Sequence, residues 1–434
     1  LTTKPSFEIR GLIFGIISHM VLEITPGGGG TPDTASPILL PFNDRPRILT
    51  TAEIDTRRES LSRMSDLWTE EHDAPNRARA IVGHWGHRVT REEMDQEIHR
   101  IALQLGEEPK LFPNSGFDVL YRMPVGYGEE EIDADTREVG VRLATRILDQ
   151  KGWRPQDVDF FDYGSSVGKG DTAAELALDL GLVNARTLTA RLACNSAGYL
   201  LARRLQDEEA VGKNVLLLDV DPITRMLVDP TKSDPISRQL FSNGAAGFAY
   251  QPVVDLKYLN GVAIERRDTR GITAIAPYEQ EVGGWVGDED HTIHTDEKGN
   301  VRVKMQPTPE GKDFWMNGRT TALFFVRLGT DGIVLVHQQH AANNNGREFD
   351  HVTGHQASKP IDELLKQILL TKHGIDTRSS WGVVRDGNSS SATSLIAFSR
   401  SMSQYQPGQH VLYASYGAGG TANCFALEIG KGAA

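Results

Sequence analysis

The sequence predicts an α/β protein built as two similar halves. Strand-like apolar runs alternate with amphipathic helical stretches over about 133–266, and the same rhythm returns over about 317–430. A third observation is a corner at 187–205. It runs from a β-branched apolar segment into Cys194, through the small residues Asn195, Ser196, Ala197 and Gly198, and on into an apolar helix. Such repetition predicts a duplicated architecture with the functional site between the halves.

The elements follow in chain order. Lys4 and Arg10 precede an apolar run at 11–22 that imitates a secretory h-region, but it contains His19 and lacks a small-residue cleavage site before Glu23. Its Ile and Val content fits a first core strand. Residues 24–48, with Gly27 to Gly30, read as a loop or arm. Residues 52–72 carry many charges with Leu61, Met64 and Leu67 at helical spacing, which predicts a surface helix. Thr90 with Glu93 three residues on is a capping box opening a helix to Leu105.

Val139, Val141, Leu143, Ala144, Ile147 and Leu148 form one apolar side of a helix at 136–151. Strands follow at 158–163, 188–193, 214–220, 245–252 and 256–266. Helices fall between them at 171–182, capped by Asp171, and at 196–206. The stretch 268–316 reads as two or three strands and a long surface excursion. A helix begins at 317–327, a short strand ends at 351–352, and a helix covers 359–370. A strand at 381–384, a helix at 389–399 and strands at 411–415 and 422–427 complete the chain. The division is therefore 1–130 as N-terminal extension and first core elements, 131–267 as the first half, 268–316 as a connecting excursion and 317–434 as the second half.

Composition narrows the function classes. A net charge of −12 argues against a general nucleic-acid binder and against an anionic membrane surface. No apolar run is long enough to span a bilayer. Two cysteines are too few for a disulfide framework, and the expectation is free thiols in a reducing cytoplasm.

Three positions carry candidate chemistry. Cys194 stands at a helix start, where unpaired amides favour a thiolate, and small neighbours leave the sulfur approachable. A buried structural cysteine is the plain alternative. His355 comes just after a short strand and before a helix; its plain alternative is a satisfied core histidine. Asn388 follows a strand and a glycine and opens a helix rich in small residues, and it also fits a simple N-cap. All three sit at strand-to-helix corners, which gather at one edge of an α/β sheet.

Together these stretches resemble the thiolase-fold condensing enzymes, most closely β-ketoacyl-acyl carrier protein synthase III. That family carries a nucleophilic cysteine after an apolar strand, a histidine in a motif like HQAN and an asparagine in a motif like GNTSAAS. The matching residues are Cys194, His355 in GHQASKPI and Asn388 in DGNSSSATS. FSNGAAG at 241–247 is similar to the family's FGDGAGA turn, MNGR at 316–319 to its MNGRE helix start, and YGAGG at 416–420 to its terminal FGGG loop. Six motifs occur in the right order over about 133–430.

The resemblance implies a thiolase-like fold, a layered α/β/α/β/α core of two βαβ-rich halves with an N-terminal extension. It implies that Cys194 takes an acyl group from a thioester. A malonyl thioester then loses carbon dioxide, and its enolate attacks the acyl-enzyme. His355 and Asn388 would hydrogen-bond the malonyl thioester carbonyl, and the backbone amides of Cys194 and of Gly417, Ala418 and Gly419 would hold the oxyanion. Asn317, Gly318 and Lys359 would contact substrate. Implied partners are an acyl-CoA or acyl-carrier protein, a malonyl thioester and a second copy in a homodimer. Coenzyme A or phosphopantetheine thioesters serve as substrates, with no permanently bound cofactor and no metal. Two other outcomes stay open: plain acyl transfer to an alcohol or amine, and a non-catalytic thiolase-fold partner subunit.

Departures from the family pattern point to a specialised relative. The family's glycine two residues after cysteine is Ser196, its HQAN asparagine is Ser358, and the arginine two further on is Pro360 with Lys359 beside it. Other patterns carry less. The GxGxxA at 417–422 has no room for a following βαβ unit. The HxxH pairs His84/His87, His291/His294 and His337/His340 lack the glutamate and cysteine partners of zinc sites. Arg203, Arg204 and Arg385 are candidate phosphate contacts or solvated surface charges.

Overall fold

The structure, a computed structural model, describes residues 67–73, 78–124, 127–168, 171–229, 232–265, 274–275, 293–303, 306–307, 314–316, 318–377 and 385–431. The predicted strands at 11–22 and 381–384 and the loop at 24–48 lie outside the described residues, as does Asn317.

The chain begins with β1 (Leu67–Asp73), β2 (Arg79–Trp85) and β3 (His87–Thr90), then α1 (Arg91–Leu105), β4 (Val119–Arg122) and α2 (Glu129–Lys151). The central alternation is β5 (Phe160–Gly164), α3 (Thr172–Leu180), β6 (Arg186–Arg191), α4 (Ser196–Gln206), β7 (Val215–Asp221), the short α5 (Pro235–Arg238), β8 (Gly244–Tyr250) and β9 (Leu256–Glu265). Short strands β10 (Ala274–Ile275), β11 (Ile293–Thr295), β12 (Val301–Val303), β13 (Gln306–Pro307) and β14 (Phe314–Trp315) follow. The chain closes with α6 (Gly318–Asn343), β15 (His351–Gly354), α7 (Lys359–His373), α8 (Ala392–Ser401), β16 (His410–Gly417) and β17 (Thr421–Ile429).

One sheet has the order β1-β2-β8-β7-β5-β6-β12-β11, and a second has the order β15-β16-β17-β9. Helices α2 and α3 pack on the outer face of the first sheet, α6 on the outer face of the second with α7 against it, and α4 and α8 lie between the two sheets. This is the layered α/β/α/β/α core that the motifs implied. Helix α4 touches β5, β6 and β7 on one side and β16, β17 and β9 on the other. A helix between two sheets must be apolar nearly all round. Ala197, Leu200, Leu201, Ala202 and Leu205 are accordingly buried, each leucine contributing about 1.5–3 kcal/mol.

Several local expectations hold. Thr90 N donates to Glu93 Oε2 at 2.8 Å and Glu93 N to Thr90 Oγ1 at 3.4 Å, closing the capping box of α1. Asp171 caps α3 through Ala174 N. Others need correction. Residues 67–72 are not helical: β1 pairs antiparallel with β2, from Leu67↔Trp85 to Asp73↔Arg79. Its charges suit an edge strand, where they discourage pairing with other chains, and Glu70 and Glu71 pair with Arg400 and Arg146. Helix α2 starts seven residues before the predicted position, because Glu129, Glu130 and Glu131 favour a helix N-terminus electrostatically rather than by apolar spacing. Strand β9, placed by sequence in the first half, hydrogen-bonds to β17 in the second sheet. Strands β12 and β11, from the connecting excursion, extend the first sheet beyond β6.

Candidate functional site

The strand β6 ends at Arg191, and a single 3-10 turn, Ala193–Asn195, delivers Cys194 to the start of α4. Ala193 holds φ at +48°, a left-handed conformation that costs a residue with a Cβ about 1–2 kcal/mol. That turn places the sulfur at the sheet edge. Ser196 uses its hydroxyl locally. Its Oγ accepts from Leu192 N at 2.8 Å and lies 3.1 Å from Ser165 O. Gly198 lies where α4 meets β16; a Cβ there would sit 2.2 Å from Ser415 Cβ. Ser415 Oγ in turn donates to Cys194 O at 3.0 Å.

Cys194 is 5% exposed and its Sγ lies 3.4 Å from Ser390 Oγ. Burial pushes the thiol up to about 12, against the lowering effect of Ser390 and of the Ala418 amide. This corrects the expectation that the helix start would favour the thiolate. Desolvation of the charged form outweighs the nearby donors in the closed site.

The YGAGG loop wraps this corner. Gly417 is in extended conformation, and a Cβ on it would meet Cys194 N at 2.7 Å and Asn195 N at 3.1 Å. Gly419 has φ +78°, and a Cβ there would strike Val303 Cγ2 at 2.1 Å. Ala418, between them, faces the same cavity as Cys194 and offers its backbone amide to the sulfur. A methyl at 418 is therefore compatible with a loop that works through its main chain.

Asn388 is 3% exposed and lies three residues before the N-cap Ser391, so the simple N-cap reading is replaced by a tighter turn. Its Oδ1 accepts from Ser390 N at 2.8 Å and Thr393 Oγ1 at 3.1 Å. With the oxygen so held, the carboxamide NH2 faces the chain after His355 and donates to Ala357 O at 3.3 Å. The backbone of Asn388 bridges to that of Phe241 and is fixed by Leu240 O and Ser242 N. The FSNGAAG stretch thus serves as the platform for the asparagine.

His355 is fully buried, with neither ring nitrogen hydrogen-bonded. Burial alone lowers its pKa to about 3, so the ring is neutral. Its main chain is pinned: His355 N donates to Ala414 O at 2.8 Å, and Tyr416 Oη donates to His355 O at 3.1 Å. The ring meets Phe325 and Tyr416 edge-on, at 6.3 and 5.6 Å between centroids.

A cavity of about 310 Å³ joins these parts. Cys194, Asn388, Ser390, Ala418, Ala357 and Ser358 line it. Phe112, Ile223, Ile236, Leu240, Phe241 and Phe314 line it too, with Ser166 and Thr321 among the polar residues. The cavity therefore brings together Cys194 and Asn388. His355 is not on its wall but touches Phe325, which is. Gly318 opens α6 just after Met316, a wall residue. Lys359 is exposed, between Ser358 and Pro360 of the wall, with its Nζ 3.9 Å from Glu363. Arg204 is not a phosphate contact. It is buried and makes a two-pronged pair with Asp162, at 2.9 and 2.6 Å, while lying over the Phe160 ring. Among the described residues no group of three or more His, Cys, Asp or Glu is placed to hold a metal ion. No described helix is long and apolar enough to cross a membrane.

Sequence reasoning missed Ser390 beside the sulfur and the aromatic lining of the cavity. Ser390 and Phe241 lie inside two of the motifs, DGNSSSATS and FSNGAAG, but motif matching drew attention to Asn388 and the turn, while Phe112 and Phe314 come from stretches with no motif.

The family described as 3-Oxoacyl-[acyl-carrier-protein (ACP)] synthase III C terminal matches residues 340–429, which include His355, Asn388 and the YGAGG loop. No curated protein matches the chain by sequence. Among solved structures, the β-ketoacyl-[acyl carrier protein] synthase III of Thermus thermophilus superposes with a TM-score of 0.59 at 17% identity, over 85% of this chain and 99% of that one. The Pseudomonas aeruginosa synthase III gives 0.56 at 18% identity over 85% and 98%. Xanthomonas campestris OleA, with bound lauric acid and lauroyl-CoA, gives 0.57 at 13% over 84% and 99%. The fold is that of the thiolase-like condensing enzymes.

Proposed function

We propose that the protein is a decarboxylative condensing enzyme of the 3-oxoacyl-ACP synthase III type, specialised in its acyl group. The observation that carries this reading is the shared wall: Cys194 and Asn388 face one largely apolar cavity, beside a loop that begins with a buried, neutral, unpartnered imidazole. Such an imidazole has nothing to do in the resting protein and is suited to donate one hydrogen bond to a ligand oxygen. The OleA structure holds lauric acid and lauroyl-CoA, and the largely apolar lining of the cavity here suits an acyl chain.

In the proposed reaction, Cys194 sulfur attacks the thioester carbonyl of an acyl-CoA or acyl-carrier protein. The amides of Cys194 and of the loop Gly417, Ala418, Gly419 hold the oxyanion, and the donor leaves as a thiol with the proton that Cys194 gives up. A malonyl thioester then enters. Loss of carbon dioxide leaves an enolate whose oxygen accepts from Asn388 and, once the Phe325 side of the wall shifts to open the ring to the cavity, from His355. The enolate carbon attacks the acyl carbonyl, the carbon–sulfur bond to Cys194 breaks, and a 3-oxoacyl thioester departs. Neutral donors suit this step, because they stabilise the enolate without pairing with the malonyl carboxylate. Asn317, Gly318 and Lys359 are proposed to contact the thioester arm. A cytoplasmic homodimer is part of the proposal.

Intact-mass measurement after mixing with acyl-CoA is expected to show acyl addition to Cys194 that Cys194→Ser lacks. Adding malonyl-CoA is expected to release carbon dioxide and a 3-oxo product. An ester or amide product would reject condensation in favour of plain acyl transfer. Absence of any acyl mass would reject both and leave a non-catalytic subunit.

A further inference from the structure

Two buried carboxyl groups stand behind the cysteine turn with no role in the reaction above. Asp219 and Asp221 lie two apart on β7, so their side chains share one face of the strand, and both are 0% exposed. Helix α8 points its first turn at them. Ser391 Oγ is 2.5 Å from Asp219 Oδ1 and 2.7 Å from Asp221 Oδ2. A hydroxyl has one hydrogen and can satisfy only one of these contacts as donor. The other contact needs a proton on a carboxyl group.

The hydrogen-bond inventory says which group carries it. Asp221 receives Ser391 N at 2.9 Å, Ser166 N at 3.1 Å and Ser166 Oγ at 2.8 Å, besides Ser391 Oγ. Four donors around one carboxyl describe an anion. Asp219 has only Ser391, and its Oδ2 has no partner. That oxygen fits where Gly164 of the neighbouring strand leaves space; a Cβ there would be 2.1 Å away. A buried carboxylate with an unpaired oxygen is costly, whereas a neutral acid in the same place is tolerable. Burial also raises both groups, Asp219 well above the ordinary carboxylate range. Among the described residues neither carboxyl forms an ion pair. The titratable groups acting on or beside the pair are the phenols of Tyr163 and Tyr413 and the Cys194 thiol, with Arg191 acting on Tyr163.

We infer that Asp219 is a neutral acid that donates to Ser391, that Ser391 donates to the Asp221 anion, and that this one-proton relay is a positioning device for the thiol. The relay ties β7 to the turn carrying Asn388 and Ser390, and through Ser166 to the cavity wall beside Cys194. Its single negative charge acts in the same direction as burial, which is the larger cause, in keeping the sulfur a thiol. The inference deepens the proposed reading of Cys194, but its tests do not need condensing activity, so the two can fail separately.

The first test is the pH dependence of Cys194 alkylation by iodoacetamide, followed by mass spectrometry. Asp221→Asn removes the charge, so the midpoint is expected to move about one unit to lower pH. Asp219→Asn replaces an acid that is already neutral and is expected to leave the midpoint in place. Equal shifts in the two variants, or a lowered melting temperature with no shift in either, would overturn the inference. The second test stands even where Asp221→Asn does not fold. The infrared difference between wild type and Asp219→Asn at pH 8 is expected to contain a protonated carboxyl band. A difference lacking that band means Asp219 is ionised and the relay does not exist.

Discussion

Replacing Gly417 with alanine probes the contact between the YGAGG loop and the cysteine turn. The backbone there is extended, so alanine meets no conformational penalty; the perturbation is purely one of space. The new Cβ would sit 2.7 Å from Cys194 N where ordinary contact begins near 3.4 Å, a deficit of about 0.7 Å. The obstructing atoms belong to the main chain of Cys194 and Asn195 and cannot swing aside. Overpacking of this kind costs about 1–3 kcal/mol. If the loop yields instead, the Ala418 amide moves by most of that deficit, and displacements near 1 Å in a reacting geometry cost up to about 100-fold. Single-turnover acylation followed by intact mass is expected to slow at least tenfold, with urea unfolding shifted by the stated energy. Gly374→Ala is the control: it has φ +71° with open space around it, so it is expected to cost about 1 kcal/mol without touching acylation. Wild-type acylation and stability in Gly417→Ala would refute the proposed tight seat of this loop.

Three further outcomes are expected. Asp162→Ala leaves the buried Arg204 guanidinium with Asp207, 2.8 Å away, as its remaining carboxylate and should cost about 1–3 kcal/mol in denaturant unfolding; a loss under about 0.5 kcal/mol would show that Asp207 alone satisfies it. His355 binds a proton near pH 3 when folded and near 6.5 when unfolded, so its contribution to stability is intact above about 6.5 and declines as pH falls towards 3, by at most about 1.4 kcal/mol per unit. The stability difference between wild type and His355→Gln should change across that window, and a flat difference would contradict a buried neutral ring. Phe314→Ala removes the edge-on partner of Phe241 (5.5 Å between centroids) from the cavity wall, and the acylation profile should shift towards longer chains by about tenfold or more. An unchanged profile would place the acyl chain elsewhere.

Much of the fold was legible because its signals are local. Helix α4 was bounded correctly at both ends, and the capping box of α1 and the cap of α3 needed only a few adjacent residues. The three candidate residues could be singled out by motif, since each sits in a short stretch with its own chemistry. What local pattern cannot convey is which distant surface a side chain meets. Asp219 falls within the strand expected at 214–220, and nothing nearby in sequence announces Ser391, 172 residues away. Strand β1 was misread for a related reason: its charges make sense only once β2 lies beside it. Burial had the same effect at Cys194, where the sequence shows the helix start and the fold supplies the desolvation that overrides it.

The helix that follows Cys194 is enclosed on both sides by sheets, so it has no free face from which to peel away. Its amide hydrogens should be among the last in the chain to exchange with solvent, because exposing them requires parting the two sheets. Heating should therefore not produce a folded but disarmed protein by loosening this region first. Loss of the surroundings of Cys194 and collapse of the whole scaffold would arrive as one event.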